Sequence, residues 1–591
     1  MPSRARLTEE LLEPLRRVLG WLCSLRDAQG RLVCPEHGVE HTGKNAYVIV
    51  LCCELARHDP RADRAALCAI ARGQAQRLVA NLVREGTSPC HTFRPGRHDP
   101  FNCSNSVIDG GAASDALAQL VHEFGPELPA QEREAAAAAS LLHARSYLRY
   151  AVLDKGIPAQ RAWGLTGLAG AWSLEHDADL ERAAIEAVGM LEAIQHPDGS
   201  YPYHPLEWGA EHPGAADVSS FYHSRLPAFL MYALERLGRD PRDELFRGPI
   251  LRALEFLLAL VGPDGTKPGL LEAKPWYWGA EYEVASNPFD VYALASGWRL
   301  FGRRTLGESA RAAFRAWAAH LSPEGRPASH HPAAGRERSY QCAVFWAAHA
   351  AWIARAAPAL AECLQFAERP VPGPGAIEIS VSWFADAQLA RLEDAGVVAW
   401  VRGARAPSNV HHGSPRGAGL LRVWSKREAR ELLERSGPGG EDEAEWHAQA
   451  GSFAPSRGWR SGARELRFAG WLARVDWRAG RYTTALARPG RVFSRGVLDY
   501  GAPLVSSAFD RAPRASPRSD GIELSGHLAH RDGTPLVQSR LERSFRIGGG
   551  ALEVEERVLD AGGARGLEYH VPQAARELVR EKHSVRYHLG S

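Results

Sequence analysis

Six times between residues 30 and 325 a helix-like run breaks at a glycine turn, passes through a polar loop rich in aromatic residues and histidine, and resumes as another apolar helix. The turns are Asp27-Ala28-Gln29-Gly30, Arg84-Glu85-Gly86, Asp154-Lys155-Gly156, Pro197-Asp198-Gly199, Pro263-Asp264-Gly265 and Pro323-Glu324-Gly325, with glycines 56, 70, 43, 66 and 60 residues apart. That period suits one helical hairpin per repeat with a loop of variable length. If six such hairpins close into a ring, the equivalent loops gather at one mouth.

A chain of 591 residues exceeds one ordinary core, so two or more domains are expected. The apolar share of 45% and charged share of 24% are those of a water-soluble globular chain, and a net charge of +2 gives no reason to invoke nucleic acid or a membrane surface. Seven of the nine cysteines precede residue 104, and several sit in apolar helical runs such as Val50-Leu51-Cys52-Cys53-Glu54-Leu55, where they read as small buried hydrophobes in a reducing compartment. The first residues lack the apolar core of a secretory signal, and no apolar run reaches the roughly 18 residues of a membrane span. The expectation is a cytoplasmic protein of unknown oligomeric state.

Up to about residue 366 the apolar spacing is helical, as in Leu11, Leu12, Leu15, Val18, Leu19 and Leu22. The stretch Glu368-Arg369-Pro370-Val371-Pro372-Gly373-Pro374-Gly375 cannot continue a helix. Beyond it the period becomes alternating, in Ile377–Trp383, Val397–Val401 and Ala551–Val558, while Ser436–Glu445 is glycine-rich and acidic and reads as a solvated loop. The expected fold is therefore an N-terminal (α/α) toroid of about six helical hairpins over residues 1–367, a linker at 368–376, and a C-terminal antiparallel β-sandwich over 377–591.

The loops carry the chemistry. Tryptophan and tyrosine offer flat apolar faces to pyranose rings, and asparagine, histidine and arginine offer planar hydrogen-bonding groups to hydroxyls and carboxylates. On that ground Arg97, Asn102, Tyr203, Trp208, Trp276, Trp278, Tyr282 and Asn287 are candidate substrate-binding residues. For any one of them, packing or capping of a loop is the competing reading.

The fourth loop is the densest. It contains Asp198-Gly199-Ser200-Tyr201-Pro202-Tyr203-His204, then Trp208 and His212, and Phe221-Tyr222-His223-Ser224-Arg225 opens the next helix. This pattern resembles the histidine and tyrosine region of the α/α-toroid polysaccharide lyases, a group that includes the chondroitin/hyaluronan, heparinase II/III-like and alginate lyases. The resemblance implies β-elimination on a uronate-containing polysaccharide or oligosaccharide. In such a reaction the C5 proton beside a carboxylate is removed and the C4 oxygen expelled, which needs a base, an acid and a group that neutralises the enolate. It further implies Tyr222 as base or acid, His204 or His223 as its partner, Asn105 as carboxylate neutraliser with Asn102 as its substitute, and Arg225 as an orienting charge. Tyr222 and His223 are adjacent on a helix and point about 100 degrees apart, so one of them is expected to face the cleft.

Two other classes remain open, as does epimerisation, which shares the same proton abstraction. A glycoside hydrolase on the same toroid needs two carboxyl groups about 5 to 10 Å apart, and Asp109, Glu207, Glu211, Asp217, Glu281, Glu283 and Asp290 are available. A non-catalytic carbohydrate-binding bowl is the third reading. No cofactor or metal is expected, and no phosphate loop or dinucleotide motif is present.

Overall fold

The computed structural model describes residues 4–35, 38, 40, 42–80, 82–85, 88–90, 103–154, 157–203, 218–268, 286–327, 342–366, 379–404, 417–434, 444–450, 463–468, 471–476, 504–530 and 533–590. They divide into two compact units, one of helices up to residue 366 and one of strands from residue 379.

In chain order the helices begin with α1 (Arg4–Ser24), α2 (Thr42–His58), α3 (Arg64–Ala80), α4 (Cys103–Phe124), α5 (Ala130–His143), α6 (Arg149–Asp154), α7 (Pro158–Glu175) and α8 (Ala178–Ala193). They continue with α9 (Ser220–His223), α10 (Arg225–Arg236), α11 (Glu244–Leu260), α12 (Asn287–Phe301), α13 (Arg304–Ala319), α14 (Ala343–Ala348), α15 (Ala350–Arg355) and α16 (Ala357–Cys363). Helices such as α7 and α12 are buried on nearly every side, whereas α8 and α13 bury one stripe, the difference between an inner and an outer position. The inner helices pack in a circle, α2 on α4, α4 on α7, α7 on α10, α10 on α12 and α12 on α15, and α15 returns to α2. The ring is closed.

The glycine turns are part of that closure. Gly199, Gly265 and Gly325 adopt φ of +87°, +82° and +89°, and each turn is tied by a backbone hydrogen bond of 2.9 Å. A β-carbon at Gly199 would collide with the carbonyl of Arg252 on α11, at Gly265 with that of Ala312 on α13, and at Gly325 with the backbone of Arg17 on α1. Each turn thus docks on the next outer helix, and the last one docks on the first.

Aromatic rings fill the axis. Trp163 lies 5.1 Å from Phe229, Phe289 5.7 Å from Trp352, and His349 5.3 Å from Tyr47 and 4.8 Å from Phe289, with Trp163 Nε1 donating to the Tyr47 hydroxyl at 2.7 Å. Toward the C-terminal ends of the inner helices a polar layer spans the ring: Asp115 pairs with Arg355 and accepts from the Tyr232 hydroxyl at 2.6 Å, while Gln119 bonds both Arg355 and Glu54. Cys52 and Cys53 are fully buried, so desolvation pushes their thiols well above the usual range.

In the second unit a five-stranded antiparallel meander runs through Ser380–Phe384, Leu389–Glu393, Val397–Arg402, Gly419–Ser425 and Arg430–Glu434. A six-stranded antiparallel sheet is ordered Arg514–Pro517, Gly521–Gly526, Ser539–Gly548, Ala551–Ala561, Ser584–Gly590 and Arg576–Arg580. Burial alternates strictly along Ser539–Gly548, and Leu392, Ala399 and Val423 of the first sheet share one core with Phe545, Val554 and Leu589 of the second. A further sheet contains Glu445–Gln449, so the end of the expected acidic loop is a strand: Glu445 is buried and holds the Nε2 of His447 at 2.8 Å.

Candidate functional site

The first turns of the inner helices meet at one end of the ring. Lys44 of α2 lies 3.3 Å from Asp109 of α4 and 4.1 Å from the Phe345 ring of α14, and Arg225 of α10 lies 4.2 Å from the Phe289 ring of α12. Tyr203 also belongs to this mouth, since it stacks on Tyr222 just before α10.

Tyr222 is held from several directions. Ser219 caps α9, its Oγ accepting from the Tyr222 amide at 3.1 Å. The Tyr222 ring is half-buried and stacks on Tyr203 at 5.2 Å between centroids with 18° between planes. Behind it the Arg225 guanidinium lies 5.2 Å from the Tyr222 ring and 3.9 Å from that of Phe221, and donates to the Phe221 carbonyl. Arg225 is fully buried; a guanidinium tolerates this because it is weakly hydrated and gains from aromatic faces. Beneath α9, Lys267 Nζ donates to the Ser220 carbonyl at 2.9 Å and to Asp290 Oδ1 at 2.9 Å, both side chains being wholly excluded from solvent. Burial raises the Asp290 carboxyl above its ordinary range, and the Lys267 ammonium draws it back. This pair ties the start of α9 to α12.

His223 turns away from Tyr222, as adjacent helical positions should. Its Nε2 lies 2.9 Å from the Ala253 carbonyl and its ring meets Phe256 edge-on at 4.7 Å. Burial lowers its pKa to about 4, so at neutral pH it is uncharged and Nε2 carries the proton donated to Ala253. His223 and Tyr222 nevertheless wall the same narrow crevice, with Tyr201, Tyr203, Ser219 and Leu226.

The other candidates distribute as follows. Asn105 lies in the first turn of α4 by its backbone. Asn287 is buried at the start of α12, its Nδ2 3.4 Å from the Ala313 carbonyl, and so faces the outer helix α13. His204, Asn102, Arg97, Trp208, Trp276, Trp278 and Tyr282 lie outside the described residues, as does the side chain of Asn105. Tyr201, Lys267 and His349 were missed by sequence reasoning. Tyr201 stood within the quoted block, but nothing local distinguishes a buried hydroxyl from a turn residue. Lys267 becomes a site residue only through partners far along the chain, and His349 belongs to the aromatic packing on the axis. Among the described residues no cluster of histidine, cysteine or acidic side chains is placed to hold a metal, and no helix is long and apolar enough to cross a membrane.

No protein-family model and no curated protein matches the sequence. Solved structures do resemble the fold. A tyrosine-to-alanine mutant of chondroitin AC lyase from Streptomyces coelicolor is similar over 98% of this chain and 70% of its own, with a TM-score of 0.51 and 15% identity. A cellobiose 2-epimerase from Spirochaeta thermophila covers 61% of this chain and 96% of its own, with a TM-score of 0.44 and 15% identity. A family 88 glycosyl hydrolase from Bacteroides vulgatus covers 60% and 99%, with a TM-score of 0.45 and 13% identity. Together with the closed circle of inner helices, the first of these likenesses defines the fold class: an α/α toroid followed by antiparallel sheets.

Proposed function

We propose that this protein is a carbohydrate-active lyase that cleaves a uronate-containing polysaccharide or oligosaccharide by β-elimination at the mouth of the toroid, with the catalytic domain spanning residues 1–367. The observation that carries the reading is the Tyr222 station: a half-buried phenol at the start of an inner helix, stacked on Tyr203 and backed by a buried guanidinium. So fixed, this side chain can take the C5 proton of a bound uronate as a phenolate, or return a proton to the C4 oxygen as a phenol. In balanced form, the C5–H electrons form the C4–C5 double bond, the C4–O bond breaks, and the departing oxygen leaves protonated. His204 is the partner that receives or supplies the second proton, and Asn105 donates to the carboxylate as charge builds on it.

Arg225 acts from beneath, holding the Tyr222 ring and adding positive potential to the mouth through the aromatic layer. The strand unit is read as a β-sandwich because its five- and six-stranded sheets share one core. The hydrolase alternative loses two of its acids, since Asp109 and Asp290 are both buried in ion pairs with lysine; it would have to draw on Glu207, Glu211, Asp217, Glu281 or Glu283.

The test is absorbance of an unsaturated uronate product when the protein is incubated with a panel of uronate polymers. Tyr222→Phe and His204→Ala are each expected to lower the rate by about 100-fold or more while circular dichroism stays unchanged. Cleavage without an ultraviolet-absorbing product, or full activity of both variants, would reject elimination by these residues.

A further inference from the structure

The crevice beneath Tyr222 ends in two polar atoms that the folded chain leaves unsatisfied. The Tyr201 hydroxyl and His223 Nδ1 are both buried without a hydrogen-bond partner, each on a residue only 3% exposed, and both residues line the crevice. Unsatisfied buried polar groups cost roughly 1–3 kcal/mol each, so a pair at the floor of one opening is a sign of a ligand group that completes them. Their chemistry is complementary. With Nε2–H committed to the Ala253 carbonyl, Nδ1 of the neutral imidazole can only accept, while the Tyr201 phenol donates.

We propose that this crevice is a recognition pocket for the exocyclic hydroxymethyl group of a neutral hexose unit, whose hydroxyl accepts from Tyr201 and donates to His223 Nδ1 while its ring lies against Tyr203 and Tyr222. The inference rests on the reading that the mouth binds sugar. A hydroxyl satisfies both floor atoms at once. A carboxylate has no hydrogen to offer and would set its lone pairs against that of Nδ1, so a uronate is rejected here. Both atoms are closed off from solvent in a narrow crevice, so a hydroxyl-sized tip can reach them and a whole ring cannot. The substrate class that follows is a heteropolymer in which a neutral hexose neighbours the uronate, rather than a chain of uronates alone.

The experiment measures binding of methyl glycosides of glucose, galactose and N-acetylglucosamine to the full chain by saturation-transfer NMR and calorimetry, against their 6-deoxy counterparts and the matching glucuronide. At least one neutral glycoside is expected to bind about tenfold more tightly than its 6-deoxy and glucuronide forms, the size of one well-placed hydrogen bond. Tyr201→Phe should erase that difference with its circular dichroism unchanged. Equal binding of hydroxymethyl and 6-deoxy forms overturns the proposal, as does discrimination that survives in Tyr201→Phe. Binding needs no turnover, so failure of elimination alone leaves this result standing, whereas absence of all glycoside binding removes the sugar-site reading and this pocket together.

Discussion

His223 is neutral in the folded protein because its surroundings cannot solvate an imidazolium, and that has a consequence for stability. An exposed histidine titrates near 6.5, whereas this one titrates near 4. Above pH 6.5 both folded and unfolded chains hold it uncharged and its contribution is fully present; as pH falls toward 4 the unfolded chain takes up a proton that the folded one refuses, so stability is lost through that window. At about 1.4 kcal/mol per unit the total is about 3 kcal/mol. Denaturant unfolding of His223→Phe and of the native chain at pH 7 and pH 4.5 should show a smaller acid loss in the variant; parallel losses would mean that the histidine is accessible to protons. The sequence made the differing directions of the Tyr222 and His223 side chains legible, since they are neighbours on a helix, but not that both line one crevice. It did not reveal the burial of Arg225, because the Phe289 and Trp163 rings around it lie more than sixty residues away on either side.

Among the elements, the glycine turns were the most legible feature and also the ones whose reason was hidden. Their φ values follow from turn geometry, which sequence can suggest. That Gly199 and Gly265 also press against the carbonyls of Arg252 and Ala312 follows only from the ring. The two requirements can be separated by substitution. Gly30 has φ of +74° but open space around the position of a β-carbon, so Gly30→Ala is expected to cost only the left-handed strain, about 1–2 kcal/mol. Gly265→Ala adds a collision with backbone that cannot rotate away, and roughly 3 kcal/mol or more is expected. Thermal unfolding of the pair checks the ranking, and equal losses would place the cost in φ alone. The strands were legible at Ala551–Val558, where burial alternates along the chain, and at Val397–Val401, whose β-branched residues form a strand buried at every position. The strand at Glu445 was not, because an acidic residue buried against a histidine looks like a loop residue until its partner is known.

At the scale of the whole ring, function depends on a seam between residues some three hundred positions apart. α15 returns to α2, Gly325 seats on α1, and the Arg17 guanidinium reaches the carbonyls of Ser322 and Pro323 at 3.3 and 3.2 Å. Every other junction of the ring joins sequence neighbours, so this is the step with the largest loop-closure cost in forming the helical unit and the one least supported by local structure. Asp115, Arg355 and Tyr232, drawn from α4, α15 and α10, join across the other end, and on the proposed reading the seam must hold for the Tyr222 mouth to keep its shape. Gly325→Ala loads the seam directly. It is expected to speed amide hydrogen exchange in α1 and α15 well before α7 and α8, which lie across the ring, and to weaken glycoside binding in proportion to the population of the opened state. Uniform acceleration across all the helices would show that the ring opens as one cooperative body, with no weaker joint at its two ends.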